Sequence, residues 1–117
     1  MSYIQCFIIP VVTKRLGEYR PLAAEAAIIW KELGALSVVE AEGDNTPVGE
    51  VTSFPRALLL KDDETVVFSY VRFRDRADCD RIMEQMMQDD RFLRIRLQAP
   101  VDENRVILGG FDEFVSV

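Results

Sequence analysis

Five polar side chains fall within otherwise apolar, strand-like stretches of this sequence: Gln5, Glu40, Ser69, Tyr70 and Arg72. Trp30 and Phe54 are candidates for apolar walls beside them. A few placed polar groups inside a mostly apolar cavity are the usual make-up of a small-molecule site. Glu40, Tyr70 or Arg72 could orient a substrate or move a proton there. The competing reading is ordinary packing, with Glu40 and Arg72 on neighbouring strands forming a cross-strand ion pair.

Much other chemistry is excluded. The chain has no histidine, which removes Ser-His-Asp triads, His-metal sites and imidazole acid–base catalysis. The aspartates Asp62-Asp63, Asp75/Asp78/Asp80 and Asp89-Asp90 cluster at expected turns and helix ends, and their spacing matches no calcium loop. They read as solvated caps, and no metal is expected. Cys6 and Cys79 have neither metal-ligand nor short disulfide spacing. Nothing near them in sequence would lower a thiol pKa, so both read as buried filler. There is no G-x-G-x-x-G and no phosphate-binding loop, and no cofactor is expected. Gly109-Gly110 reads as a bulge or a close backbone approach in a strand.

The elements that must position these residues begin with Glu64 to Arg74. This run is rich in β-branched and aromatic residues and leads into Asp75, a good helix N-cap. Val67, Ser69, Val71 and Phe73 fall on one face, and Val66, Phe68, Tyr70, Arg72 and Arg74 on the other. Apolar residues on both faces predict a strand covered on both sides. Tyr3 to Val12 reads as a similar strand, with Pro10 near its end. Thr13 is expected to cap a helix whose apolar residues run from Leu16 to Leu33, with Pro21 either kinking it or starting its main part. Gly34 suits the position after that helix.

Ala35 to Glu42 reads as a second strand and Gly43 to Glu50 as a loop. A short helix is expected near Pro55. The helix opened by Asp75, with Asp78 at its third position, carries the stripe Cys79, Ile82, Met83 and Met86 and ends at Asp89-Asp90. The methionines Met83, Met86 and Met87 are expected in the core. Arg91 to Asn104 reads as a long connection with at most a helical turn at Phe92 to Leu97, and its arginines as a solvated face. The last strand is expected over Arg105 to Val115.

This order predicts an α+β fold: a ferredoxin-like β-α-β-β-α-β sandwich, with a four-stranded antiparallel sheet and two helices on one face. The 117 residues suit a single domain, 1–117. The other sheet face would be too apolar to leave wet, and a second copy packed on it would form a homodimer with a barrel-like interior. A net charge of −6 argues against nucleic acid and anionic membrane surfaces as partners. Ile4 to Val12 is far shorter than the ~20 residues of a membrane span. Two thiols without an export signal suggest the cytoplasm.

Several stretches together resemble a known family: Phe7 to Val11, Gly34-Ala35-Leu36, Val51 to Ala57, Glu64 to Ser69, Asp89 with Arg91, and Gly109-Gly110-Phe111. Spanning nearly the whole chain, they resemble the DUF1428 family of small uncharacterised bacterial proteins. The family usually has Asp-Gly where this chain has Gln5-Cys6, Trp where it has Tyr70, and Pro where it has Asp90. The resemblance implies a dimeric α/β barrel and supplies no activity to carry over. The favoured function is binding of a small, partly apolar metabolite in a sheet–helix or barrel cleft. The alternatives are a cofactor-independent, monooxygenase-like or isomerase-like barrel enzyme, and a structural or protein-interaction role without a ligand.

Overall fold

A computed structural model describes residues 1–117. Its main elements in chain order are β1 (Tyr3–Val12), α1 (Leu16–Leu33), β2 (Ser37–Glu42), α2 (Phe54–Ala57), β3 (Glu64–Phe73), α3 (Arg76–Gln88), α4 (Asp90–Gln98) and β4 (Ile107–Asp112). The strands make one antiparallel sheet in the order β2-β3-β1-β4. β1 and β3 are central, as their two apolar faces predict, and pair along their full length from Tyr3 opposite Phe73 to Val12 opposite Glu64.

Side chains alternate across a strand, so this register fixes the two faces. Gln5, Phe7, Ile9 and Val11 of β1 share a face with Val67, Ser69, Val71 and Phe73 of β3. Helices α1, α3 and α4 cover it. Phe73, Ile82 and Met86 are fully buried there, beside Val71, Cys79, Ile29 and Trp30. Trp30 is the aromatic hub, with Phe7, Phe73 and Phe92 at ring-centroid distances of 6.5, 6.1 and 6.2 Å. A smaller cluster of Val11, Tyr19 and Val67 stands apart from this core.

The opposite face carries Ile4, Cys6 and Ile8 of β1, Phe68, Tyr70 and Arg72 of β3, Val39 and Ala41 of β2, and Ile107 and Phe111 of β4. It is largely open, with Phe111 59% exposed and Phe68 39%. The exception is its end at Val66 and Pro10, which are buried. Near this end the chain is fastened by Arg105. Its guanidinium donates to both Glu64 carboxylate oxygens, to Asp102, and to the Leu58 and Leu59 carbonyls. These bonds hold Leu59 at φ +51°, a conformation disfavoured for a side chain of this size, while Leu58 is buried.

Several local expectations are met. Asp75 accepts the Asp78 amide at 2.8 Å and caps α3. Gly34 ends α1 at φ +120°. Ser53 caps the short α2. Others are corrected. The main helix does not start at Pro21: after a single turn of 3-10 helix over Thr13–Arg15, one helix runs from Leu16 to Leu33 with Pro21 inside it. Thr13 caps nothing, and its hydroxyl pairs with that of Thr65 at 2.7 Å. A third long helix, α4, replaces most of the expected connection; Asp89 both ends α3 and caps α4 by accepting the Arg91 amide. The helical layer therefore has three long helices rather than two. Gly109 and Gly110 pair in regular register with Cys6 and Gln5, without a bulge. The close approach is real, since a Cβ at Gly110 would strike the Tyr3 ring. Met86 is fully buried and Met87 is 53% exposed.

Candidate functional site

Between the main core and the smaller cluster the packing leaves a cavity of about 320 Å³. Its walls come from both clusters: Phe7, Trp30 and Phe92 on one side, Ile9, Tyr19 and Val101 on the other. The gap follows from the sequence of α1. Ala23 and Ala26 are too small to reach the sheet, whereas Tyr19 and Trp30, a turn or so to either side, do reach it. The cavity opens towards β4, where Leu108 is largely exposed.

Three of its polar groups, Glu40, Tyr19 and Ser69, come together. Glu40 is on β2 directly opposite Ser69 of β3, so both point under the helices. The buried Tyr19 hydroxyl donates to Glu40 Oε1 at 2.5 Å, within the range of a short charge-assisted bond. Glu40 borders this cavity and a second one of about 530 Å³ along the outer side of α1, with Tyr19 and Ala23 also lining both. Glu40 is exposed on the edge strand β2, so its carboxyl keeps contact with solvent while protein crowds its inner side. That surrounding protein raises its pKa, and the bonds from Tyr19 and Ser69 only partly counter the effect. Burial, followed by the charge of Glu40, pushes the Tyr19 phenol well above its ordinary value.

The sign of the linkage follows. A carboxyl whose folded pKa lies above its unfolded value contributes stability below the ordinary value of 4.5, and that stability is lost as pH rises through the folded pKa. Glu40→Gln removes the titration. The variant is expected to gain stability relative to the parent from pH 4.5 upward, measured by urea unfolding at a series of pH values. A constant difference between the two across that range would contradict the assignment.

Of the seven residues singled out from sequence, Trp30, Glu40 and Ser69 meet in this cavity. The other four do not. Tyr70 and Arg72 lie on the opposite face, in a dent of about 280 Å³ with Cys6, Glu113 and Ser116. Arg72 is bonded there to Ser2 and Glu113 at 2.7 and 2.9 Å. The cross-strand pair of Glu40 with Arg72 is therefore ruled out: Arg72 is opposite Ser37, and the two side chains leave the sheet on opposite sides. Gln5 is buried in the core, with Cys79 Sγ 3.8 Å from its Oε1. Phe54 is 52% exposed on the short α2 and lines none of these cavities. Cys79 is buried as expected, and burial pushes its thiol up to about 11.

Sequence reasoning missed Tyr19, Phe92, Arg96 and Glu103. Tyr19 read as one more residue of a helical apolar stripe, and Arg96 as part of a solvated run. Arg96 instead lines the cavity, and its guanidinium is held by Glu103 through two bonds of 3.0 Å.

Fold and cavity together define an α+β protein in which helices on one side of an open antiparallel sheet leave a chamber of small-molecule size. The chain belongs to the DUF1428 family of proteins of unknown function, which it matches over residues 2–103. It is 35% identical over 115 residues to the uncharacterized protein YbaA of Escherichia coli strain K12, covering 98% of each chain. The YbaA protein of Shigella flexneri matches to the same extent. Among solved structures, the de novo designed protein Foldit4 superimposes with a TM-score of 0.53 at 13% identity, over 97% of this chain and all of that one. That likeness concerns the fold alone. No helix is long and apolar enough to cross a membrane.

Proposed function

We propose that this protein is a cytoplasmic homodimer that binds a small, partly apolar metabolite in the cavity between its sheet and helices. One observation carries the reading: a chamber of about 320 Å³ with aromatic walls, and with Glu40, Tyr19 and Ser69 gathered together. Its volume is at the lower end of the range for ligand sites. A purely structural role would favour side chains filling that space, because an unfilled core loses packing energy.

The strand order supports a ferredoxin-like sandwich. The apolar open face supports a dimer formed sheet to sheet, as in a dimeric α/β barrel, since monomers seldom expose so continuous an apolar surface.

A second reading, a cofactor-independent enzyme, is favoured by the Tyr19–Glu40 pair. A carboxyl with a raised pKa that keeps contact with the cavity can take a proton from a bound substrate. Once Glu40 holds that proton, the Tyr19 hydroxyl, now bonded to Glu40, can turn its single hydrogen to the substrate oxygen that becomes negative. No redox partner is needed for that step, which suits an isomerase-like reaction better than an oxygenase-like one.

The test uses Trp30, the only tryptophan in the chain. Because it lines the cavity, a ligand entering there is expected to change its emission, and a metabolite library can be screened by that signal. Ligands that bind without altering Trp30 emission would count against this site.

A further inference from the structure

We infer that the cavity takes a small organic carboxylate, with the acid group bound at Arg96 in the place now occupied by Glu103; this assignment rests on the ligand-binding reading above. Arg96 is the only cation among the residues lining the chamber. It extends from the last turn of α4, and Glu103 comes from the 3-10 turn that follows. The link between them is fixed to the sheet by the Val12 amide on the Pro100 carbonyl and by the bridge between Val11 and Val101. Both ends of the ion pair therefore sit on anchored chain at the rim of the cavity.

The geometry is that of carboxylate recognition. Arg96 Nε and a terminal nitrogen each meet one Glu103 oxygen at 3.0 Å, a parallel two-bond fork. The guanidinium also lies 5.8 Å over the ring of Phe92, which packs on Trp30. A ligand with a flat apolar body would therefore meet aromatic rings beside the cation.

The intramolecular pair is also suited to exchange. Glu103 is about half exposed and Arg96 about one-third exposed, so water screens the pair despite its two-bond geometry and can hydrate Glu103 once it is displaced. Replacing Glu103 by a ligand carboxylate keeps the same two bonds and moves the exposed Glu103 into water. The negative charge of Glu40 then orients the ligand. Its acid end goes to Arg96, and a hydroxyl or other donor at the far end faces Glu40 and Ser69. The class is a compact aromatic or alicyclic acid with a hydrogen-bond donor opposite its carboxylate.

The probes are 4-hydroxyphenylacetate and its neutral counterpart 4-hydroxyphenylacetamide, titrated calorimetrically into the full chain and into its Glu103→Gln and Arg96→Gln variants. The acid is expected to bind the parent about tenfold more tightly than the amide. Glu103→Gln, which frees Arg96, should tighten the acid about fivefold and leave the amide unchanged. Arg96→Gln should reduce the acid to the level of the amide. Equal binding of acid and amide to the parent, or no gain in Glu103→Gln, overturns the carboxylate assignment and leaves the cavity reading standing. Failure of both probes to bind also overturns the assignment, while the cavity reading is then judged by the Trp30 screen. Circular dichroism verifies folding, and Glu103→Gln alone decides the matter if Arg96→Gln is unstable.

Discussion

Phe68→Asp is expected to convert the proposed dimer into a folded monomer of 13.4 kDa. Phe68 is at the middle of the open sheet face, edge-on to Tyr70 with ring centroids 6.1 Å apart. Within one chain it is 39% exposed, so a carboxylate there stays hydrated and the fold tolerates it. Between two sheets the same carboxylate would be stripped of water without a partner, which costs several kcal/mol. A micromolar dimer is held by only about 8 kcal/mol. The substitution should therefore weaken dimerisation by at least about a hundredfold. Light scattering on a sizing column at micromolar concentration should give twice the chain mass for the parent and the single mass for the variant. A parent already monomeric under those conditions contradicts the dimer.

Ala26→Phe is expected to abolish ligand binding while sparing the fold. Ala26 is on the cavity wall under α1, one turn from Trp30, and is 8% exposed. In a well-packed core an added ring costs about 1–3 kcal/mol in strain. Here it enters space already empty, so the cost should fall at the low end of that range and some packing is gained. The chain should unfold cooperatively near the parental temperature, and a ligand that changes Trp30 emission in the parent should no longer do so. Retained binding would place the ligand elsewhere, with the groove outside α1 the first place to examine.

The sequence specifies the sheet better than the site, and the reason is parity. Alternation along β3 shows that Ser69 shares a face with Val67 and that Tyr70 shares one with Phe68. It does not show which face the helices take, because both are apolar. Nor does parity within β2 relate Glu40 to either group. That needs the register, and Glu40 opposite Ser69 is a property of the folded pair. By sequence alone Tyr70 and Arg72 group with Glu40, yet they leave the sheet on the other side.

Local chemistry was more legible. Asp75 and Gly34 read correctly because capping depends on neighbours only a few residues away. Helix α4 was hidden for a related reason. Among Arg91, Arg94 and Arg96 its inward residues are few, and Phe92 and Ile95 gain meaning only once Trp30 lies beneath them. The Tyr19–Glu40 bond joins residues 21 apart in the chain, a distance over which composition and periodicity carry no signal.

The most direct test of the central claim, a ligand-binding chamber between sheet and helices, is a thermal-shift screen of a metabolite library against the parent and Ala26→Phe. A ligand at 100 times its Kd adds about 2.7 kcal/mol to the parent, roughly 10 °C for a chain of this size, and should leave the filled variant unmoved. No shift across the library, or equal shifts in both proteins, would contradict it.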